Sequence, residues 1–280
     1  MSLAENFEVV RPSIVALGSR ISISKPGKTP PFPFLLGTGF VVDPRGIVVT
    51  NRHVADDLMQ LPVHPKTGAH TAFAMLSSPA VHDDAHGQVQ GLFFVDIRDY
   101  RVLDSFASTQ QYYGEPVPDM AFLQIDACEL PALELATRKN TWQIGMSIAT
   151  AGFPLGNDAL VVYGNINQIT PLLRHGIISS LYPFPCSVPH GFTIDVMMQG
   201  GGSGSPIFLP DTPTVVGLLH GGFPGTNITI ALPSHLVRLG LADLLQNSPF
   251  QFSKVPTYQE LADDSQKNYD GLHFEQLVSE

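Results

Sequence analysis

The chain has 280 residues, of which 44% are hydrophobic and only 14% are charged, against about 25% charged in an ordinary soluble domain. This balance excludes an intrinsically disordered protein, which needs low hydrophobicity and high charge. The net charge of −10 gives no general electrostatic attraction to nucleic acid, so we expect no nucleic-acid partner.

The ends of the chain and its apolar stretches bear on localisation. Residues 1–12 contain no positively charged segment followed by an apolar one, so the sequence predicts no secretory signal. A long uncharged stretch, 212–237, is interrupted by glycine and proline and cannot span a membrane as a helix. We therefore expect a cytoplasmic protein without a membrane partner.

Short strand-like runs bounded by turn residues dominate the chain, in keeping with its 25 glycines and 24 prolines. Their spacing predicts an all-β barrel or sandwich, because the alternating helices of a parallel α/β fold are missing. One helix is predicted late, with Ser234 as N-cap and leucines at helical spacing up to Leu245. The predicted strands, in chain order, are Ser13–Leu17, Gly39–Val42, Ile47–Thr50, Gly91–Asp96, Met120–Ile125, Ser147–Ala151, Leu160–Tyr163, Gly176–Ser180, Thr193–Met198, Pro206–Leu209, Val215–Leu219 and Asn227–Ala231.

Two stretches depart from this pattern. Residues 56–118 are polar and rich in histidine, and we interpret them as strands carrying an inserted loop. Residues 251–280 carry six acidic side chains against two lysines, which indicates an acidic appendage. The histidine-rich stretch also has spacing compatible with metal ligands, but we favour a solvated loop and expect no metal ion. The residues concerned are His64, His70, His82, Asp83, Asp84 and His86.

Three segments carry the residue types of nucleophilic catalysis. The first is a strand, a tight turn and a second strand, with His53 just past its end. The second is Asp119 at the start of the apolar strand 120–125. The third is Ser203, in the glycine-rich turn 200–205 that precedes another strand. Each segment alone has an ordinary structural explanation, but the three together, each in its strand context, indicate one site.

Acyl transfer by a serine requires these groups in one place. The hydroxyl is a weak nucleophile and needs a neighbouring base, which a histidine supplies near neutral pH. A buried carboxylate fixes the tautomer of the imidazole and stabilises its cation. Two N–H donors must hold the developing oxyanion, and the glycine-rich turn offers those of Gly201 and Ser203. His53, Asp119 and Ser203 are therefore the candidate catalytic residues.

The three segments resemble those of the trypsin/chymotrypsin-fold serine proteases, and most closely the HtrA-type protease domain. The family's TNxHV block resembles Thr50-Asn51-Arg52-His53-Val54, and its D-[IL]-A-[VL]-L block resembles Asp119-Met120-Ala121-Phe122-Leu123. Its G-N-S-G-[GS]-P block resembles Gly201-Gly202-Ser203-Gly204-Ser205-Pro206. The residues after Gln246 are too few for the PDZ domain of most HtrA proteins, so we expect a protease domain without one.

This resemblance implies two antiparallel Greek-key β-barrels of the trypsin type, with the site in the cleft between them. Residues 1–135 would form the first barrel, with the inserted loop 56–118. Residues 136–246 would form the second barrel and the C-terminal helix, and residues 247–280 the acidic appendage.

The resemblance also implies a serine endopeptidase acting on a peptide or protein substrate, without a cofactor. The substrate would be bound by Met197, Met198, Leu219, Gly221 and Gly222. We expect no fixed charge in the specificity pocket, and hence cleavage after apolar residues. An oligomer is compatible with the sequence, but no residue indicates one.

Two alternatives stay open at this stage. His220 follows Leu219 on the predicted substrate-binding strand and faces the opposite way, so we expect it behind the pocket near Asp119, as a structural histidine. The chain as a whole is also compatible with a catalytically silent or latent trypsin-fold module that binds peptides or regulates a partner.

Overall fold

The computed structural model describes residues 1–19, 34–63, 68, 70–78, 81–83, 87–89, 91–103, 118–137, 141–154, 161–162, 166–167, 170–197, 200–223, 225–247 and 249–267. Strands dominate these ranges, as the turn-rich sequence predicts. The helices are α1 (Leu3–Val10), α2 (Arg52–Met59), α3 (Ser234–Asn247) and α4 (Tyr258–Lys267). A single 3-10 turn, Arg11–Ser13, connects α1 to the first strand.

The first barrel contains six antiparallel strands that close on themselves. Within the first half of the chain the strands are β1 (Ile14–Ser19), β2 (Phe34–Asp43), β3 (Ile47–Thr50), β4 (Ala72–Ser77), β5 (Val81–Asp83), β6 (Gly87–Val89), β7 (Leu92–Val102) and β8 (Ala121–Ile125). The barrel order is β1-β2-β3-β8-β7-β4, and β5 with β6 forms a separate hairpin. Closure leaves no sheet edge unpaired around the ring.

The segment 56–118, interpreted from the sequence as strands carrying an inserted loop, contributes two strands to the first barrel. Two of its runs, β4 and β7, are barrel strands that pair with each other, and β7 also pairs with β8. The physical reason is their apolar content. Every residue of β4 is buried, and β7 begins with alternating buried and partly exposed side chains, as expected for a strand with one face on the core.

An apolar cluster made of residues from both halves packs the two barrels together. Val48 and Leu123 enter a cluster inside the first half of the molecule, together with residues of α2. Their strand neighbours Val49 and Phe122 point the other way, into a cluster that also contains Phe208 and other side chains of the second half. This explains why β3 and β8 are apolar on both faces, and it fixes the two halves against each other.

The second barrel is also built from six antiparallel strands. Its half of the chain contains β9 (Glu134–Leu135), β10 (Ser147–Gly152), β11 (Val161–Val162), β12 (Ile166–Asn167), β13 (Leu172–Tyr182), β14 (Gly191–Ile194), β15 (Pro206–Phe208), β16 (Thr214–Gly222) and β17 (Thr229–Pro233). The order β15-β10-β13-β14-β17-β16 closes through pairing of β16 with β15, while β9 adds to β16 in parallel and β11 pairs only with β12. The prediction of two antiparallel barrels followed by a C-terminal helix is confirmed.

After α3 the chain returns to the first barrel. The Cys128 N–H donates to the Pro256 carbonyl at 3.0 Å, and the Tyr258 N–H donates to the Cys128 carbonyl at 2.8 Å. The Tyr258 hydroxyl donates to the Ser77 carbonyl at 2.8 Å, and Ala262 of α4 is buried in the first barrel's cluster. Residues 249–267, the described part of the predicted appendage, are therefore packed against β-strands of the first half.

Candidate active site

His53 and Asp119 are joined by two hydrogen bonds. His53 is the second residue of α2, and its backbone N–H donates to Asp119 Oδ1 at 2.9 Å. Its ring Nδ1 lies 2.6 Å from Asp119 Oδ2. Asn51, directly before α2, donates from Nδ2 to the Asp119 carbonyl at 2.8 Å. The carboxylate thus accepts from the N-terminus of α2, where a negative charge is favourable, and from the imidazole at once.

The turn that carries Ser203 is held by its own glycines and by the strand beneath it. Gly201 and Gly204 have φ values of 89° and 87°, in the left-handed region that favours glycine. The Ser205 hydroxyl donates to the Gly202 carbonyl at 2.7 Å, and the Gly204 N–H donates to the Leu219 carbonyl of β16 at 3.0 Å. Ser203 itself is only 7% exposed, so the turn holds this residue almost entirely away from solvent.

Thr38 of β2 connects the serine turn to the first barrel. Its N–H donates to the Ser203 carbonyl at 2.9 Å, and its hydroxyl donates to the Gly201 carbonyl at 2.8 Å. The Thr38 carbonyl in turn accepts from the Thr50 hydroxyl at 2.7 Å. Thr50 lies three residues before His53, so hydrogen bonds through Thr38 link the serine turn to the segment that carries the candidate histidine. This role of Thr38 was not predicted from the sequence.

Hydrogen bonds through Thr38 connect the segments of the candidate serine and histidine, but they do not join the two side chains. Within the described part of the chain, Ser203 Oγ makes no hydrogen bond to His53. The N–H groups of Gly201 and Ser203, the predicted oxyanion donors, likewise have no acceptor among the described residues. Two unpaired N–H groups in one tight turn are what an oxyanion site requires.

The charges around His53 favour its protonated form. The hydrogen bond to Asp119 raises the pKa of His53 above its ordinary value, and the nearby carboxylates of Asp57 and Asp56 add to this. Burial by itself would raise the pKa of Asp119. Hydrogen bonds from His220 and His53 outweigh burial and hold the pKa of this carboxyl well below its usual range. Asp119 is therefore an anion near neutral pH.

His220 lies where the sequence predicts it. Its Nδ1 is 2.8 Å from Asp119 Oδ2, the same oxygen that faces the His53 ring. The expectation that His220 lies near Asp119 is confirmed.

A pocket opens beside the serine turn, and part of its wall matches the predicted substrate-binding residues. Met197 and Leu219 line it, together with Val196, Gly202 and a group of mainly small or apolar residues: Ala151, Gly152, Pro154, Leu172 and Ser205. Gly221 and Gly222 lie farther along β16, opposite Ile230 and Thr229 of β17. Met198 falls outside the described residues.

One prediction about this pocket is wrong. The sequence predicts no fixed charge there, but Arg174 lines the pocket. The reason is the strand register: Arg174 of β13 stands directly opposite Thr150 of β10, and opposite residues of an antiparallel pair share one face. The Arg174 guanidinium donates to the carbonyl of Met197, at the pocket wall.

The family now follows from comparison with known proteins. Residues 37–218 match the family model of the trypsin-like peptidase domain. The chain belongs to this family. The matched range contains all three candidate catalytic residues, and the resemblance to trypsin-fold proteases drawn from the motifs is confirmed.

Similar proteins place this trypsin-like peptidase domain near the HtrA group. A probable periplasmic serine endoprotease DegP-like of Halomonas elongata is 25% identical over 218 residues, covering 76% of this chain and 35% of the relative. The corresponding protein of Pseudomonas fulva is 25% identical over 220 residues, with the same coverage. The chain therefore spans about a third of the length of the curated relatives it matches.

Solved structures support the fold. The HtrA-type protease AlgW with a tripeptide has 18% identity and a TM-score of 0.54, covering 88% of this chain and 64% of AlgW. Deg5 has 20% identity and a TM-score of 0.51, covering 88% of this chain and 95% of Deg5. At these identities the likeness concerns the two-barrel architecture.

Two further expectations concern the localisation of the protein and a metal site. None of the helices in the described ranges has the length and apolar character of a membrane span. The DegP-like relatives are named periplasmic, so the cytoplasmic assignment stays a prediction. No group of three or more histidine, cysteine, aspartate or glutamate side chains in the described ranges is arranged to hold a metal, and of the histidine-rich stretch His64, Asp84 and His86 lie outside those ranges.

We expect Gly204→Ala to disrupt the serine turn. The new Cβ would lie 1.9 Å from the Thr38 carbonyl oxygen, at a φ of +87°. Overpacking and left-handed strain together should cost about 3 kcal/mol of unfolding free energy. Urea unfolding measures this cost, with Gly200→Ala as the control, because a Cβ there meets nothing within 4 Å. Equal stability of both variants would contradict the described turn.

Proposed function

We propose that this trypsin-like peptidase domain is a serine endopeptidase in which Ser203 is the nucleophile, His53 the base and then the acid, and Asp119 the residue that orients His53. The observation that carries the proposal is the double hydrogen bond from His53 to the Asp119 carboxylate, 2.9 Å at the backbone and 2.6 Å at the ring. With Nδ1 donating to Asp119, the Nε2 of a neutral His53 is left as the acceptor that a serine proton needs.

The reaction then follows from the groups in the cleft. Ser203 Oγ attacks the substrate carbonyl as His53 Nε2 takes its proton, and the N–H groups of Gly201 and Ser203 bind the oxyanion. The protonated His53, stabilised by Asp119, delivers the proton to the leaving amine, and water repeats the sequence to release the acyl group. The absence of a Ser203–His53 hydrogen bond is compatible with this, since such bonds often tighten only when substrate binds.

That Ser203 and His53 are not hydrogen-bonded also favours a second candidate function, that of a latent or catalytically silent module. A protease fold whose serine and histidine are not hydrogen-bonded would bind peptides without turnover until something closes the site. The structures of AlgW carry peptides, as their tripeptide and decapeptide show, so we expect a peptide ligand for this domain under either candidate.

A fluorophosphonate probe combined with a labelled unfolded protein separates these candidates. The proposed endopeptidase predicts stoichiometric labelling and multiple-turnover cleavage. Labelling without cleavage would favour a latent site, because the probe requires only an activated serine. Absence of both would overturn the endopeptidase proposal in favour of the silent module.

The acid limb of the pH profile, where activity declines at low pH, tests the assignment of His53 as the base. The reaction needs neutral His53, and Asp119 raises the pKa of this histidine. Activity should therefore fall as the pH drops through a value above about 6.5, the ordinary histidine pKa. A labelling rate independent of pH across that region would argue against His53 as the base.

We expect cleavage after apolar residues of moderate size, such as Val, Leu, Ile, Ala or Met. Most of the pocket wall is carbon, contributed by Leu219, Met197 and Val196 among others. Discrimination among these side chains should be loose, about 10- to 200-fold per methylene. A peptide-library cleavage profile measures the preference.

Arg174→Leu is the informative variant for this profile. Since the Arg174 guanidinium donates to the Met197 carbonyl, we expect the apolar preference to persist without it. Dominant cleavage after Asp or Glu in the parent, lost in Arg174→Leu, would instead show that Arg174 binds the substrate side chain. That outcome would refute the apolar pocket while leaving the catalytic assignment intact.

A further inference from the structure

Two histidines share one carboxylate oxygen in the cleft. Asp119 Oδ2 faces His53 Nδ1 at 2.6 Å and His220 Nδ1 at 2.8 Å. The Asp119 side chain is 14% exposed and that of His220 is 25% exposed, so both lie mostly away from solvent. His220 lies at an irregularity of β16, between Leu219, which pairs with Ala231, and Gly221, which pairs with Ile230, and an extra residue of this kind re-aims a side chain.

The hydrogen-bond roles in this cluster follow from its chemistry. An ionised carboxylate only accepts, so each Nδ1 must carry a proton. With the His53 N–H on Oδ1, the carboxylate receives three donors and cannot rotate without losing at least one of them. The further charged groups near His53 are Asp57, Asp56 and Arg52, which forms an ion pair with Asp56, all on α2, while β17 and the turn 200–205 contain no titratable side chain.

We propose that His220 is a positioning residue for the Asp119 carboxylate: it fixes the orientation of the carboxylate toward His53 and takes up part of the hydrogen-bonding capacity of Oδ2. The inference rests on the proposed function. Without the second donor, Asp119 would hold the imidazolium of His53 more strongly but in a less defined geometry. Removal of the His220 donor should therefore slow the reaction and raise the apparent pKa of His53.

The test compares His220→Leu with His220→Asn by the pH dependence of fluorophosphonate labelling between about pH 5 and pH 8, where histidines titrate. Leucine fills the space of the imidazole but offers no donor, whereas the Nδ2 of asparagine is bonded to Cγ, as Nδ1 is in histidine, and carries N–H donors. We expect His220→Leu to label about 10- to 100-fold more slowly, the factor of one hydrogen bond to a charged group. Its acid limb should move to higher pH.

His220→Asn should restore most of the rate and the position of the acid limb. His175→Asn, at an exposed position on β13, serves as the unaffected control. Equal behaviour of His220→Leu and His220→Asn, whether both impaired or both like the parent, would overturn the proposal, because packing alone would then explain His220. A urea unfolding curve for each variant separates slower labelling from lost folding.

Failure of the proposed function is distinguishable from failure of this inference. If the parent protein is not labelled at all, ¹⁵N-histidine NMR still reports the tautomers directly. Two downfield Nδ1–H signals, one lost in His220→Leu and both displaced in Asp119→Asn, would support the shared carboxylate. A His220 protonated at Nε2 alone would overturn it.

Discussion

Ser203→Ala should abolish fluorophosphonate labelling and reduce peptide cleavage by about 10⁶-fold, as removal of a nucleophile does in known serine proteases. The other serine in the turn does not replace it as the nucleophile, because the buried Ser205 hydroxyl donates to the Gly202 carbonyl at 2.7 Å. Ser203 Oγ has no such bond among the described residues. Mass spectrometry of the labelled protein, with and without the substitution, measures the outcome.

Ser205→Ala is the matched control. It removes one internal hydrogen bond, worth about 1 kcal/mol of stability, but leaves the Ser203 hydroxyl in place. Labelling should persist in this variant. Labelling that survives Ser203→Ala and disappears in Ser205→Ala would transfer the nucleophile to Ser205 and overturn the proposed mechanism.

Much of the site could be predicted because each candidate group is placed by local sequence. His53 lies just past the apolar run that forms β3, and Asp119 lies just before the run that forms β8, and these two strands are neighbours. The glycines around Ser203 predict a turn with residues in the left-handed region, and Gly201 and Gly204 lie in that region in the structure. These features depend on periodicity and turn chemistry, which a single sequence carries.

Other features depend on contacts between segments far apart in the chain. The bonds from Thr38 to the serine turn join residues more than 160 positions apart, and nothing local to Thr38 indicates them. The charge in the pocket depends on the register of β13 against β10, which places Arg174 opposite Thr150. A one-residue slip would have turned Arg174 to the other face. The strand β4 was not predicted, and β7 was predicted only as Gly91–Asp96, because polar, histidine-rich residues separate the apolar runs of this segment.

Asp119→Asn should lower kcat by about 10⁴-fold while leaving Ser203 in place. The amide that replaces the carboxylate offers both an acceptor and a donor where two Nδ1–H groups, from His53 and His220, now point at one oxygen. If the amide N–H faces the His53 ring, Nδ1 must accept and Nε2 carries the proton. His53 is then unable to take a proton from Ser203.

The pH profile of this variant should also change in a direction opposite to that of His220→Leu. Asp119 raises the pKa of His53 by hydrogen bonding and by charge, so its neutralisation lowers that pKa and moves the acid limb to lower pH. Asp99→Asn, which alters a carboxylate paired with Arg101 on β7, is the control and should retain the parent's rate and profile. In known triads, loss of this role lowers kcat by orders of magnitude. A fall in kcat of less than about 10-fold, or an acid limb that stays in place, would therefore mean that Asp119 does not orient and stabilise His53 in the reaction.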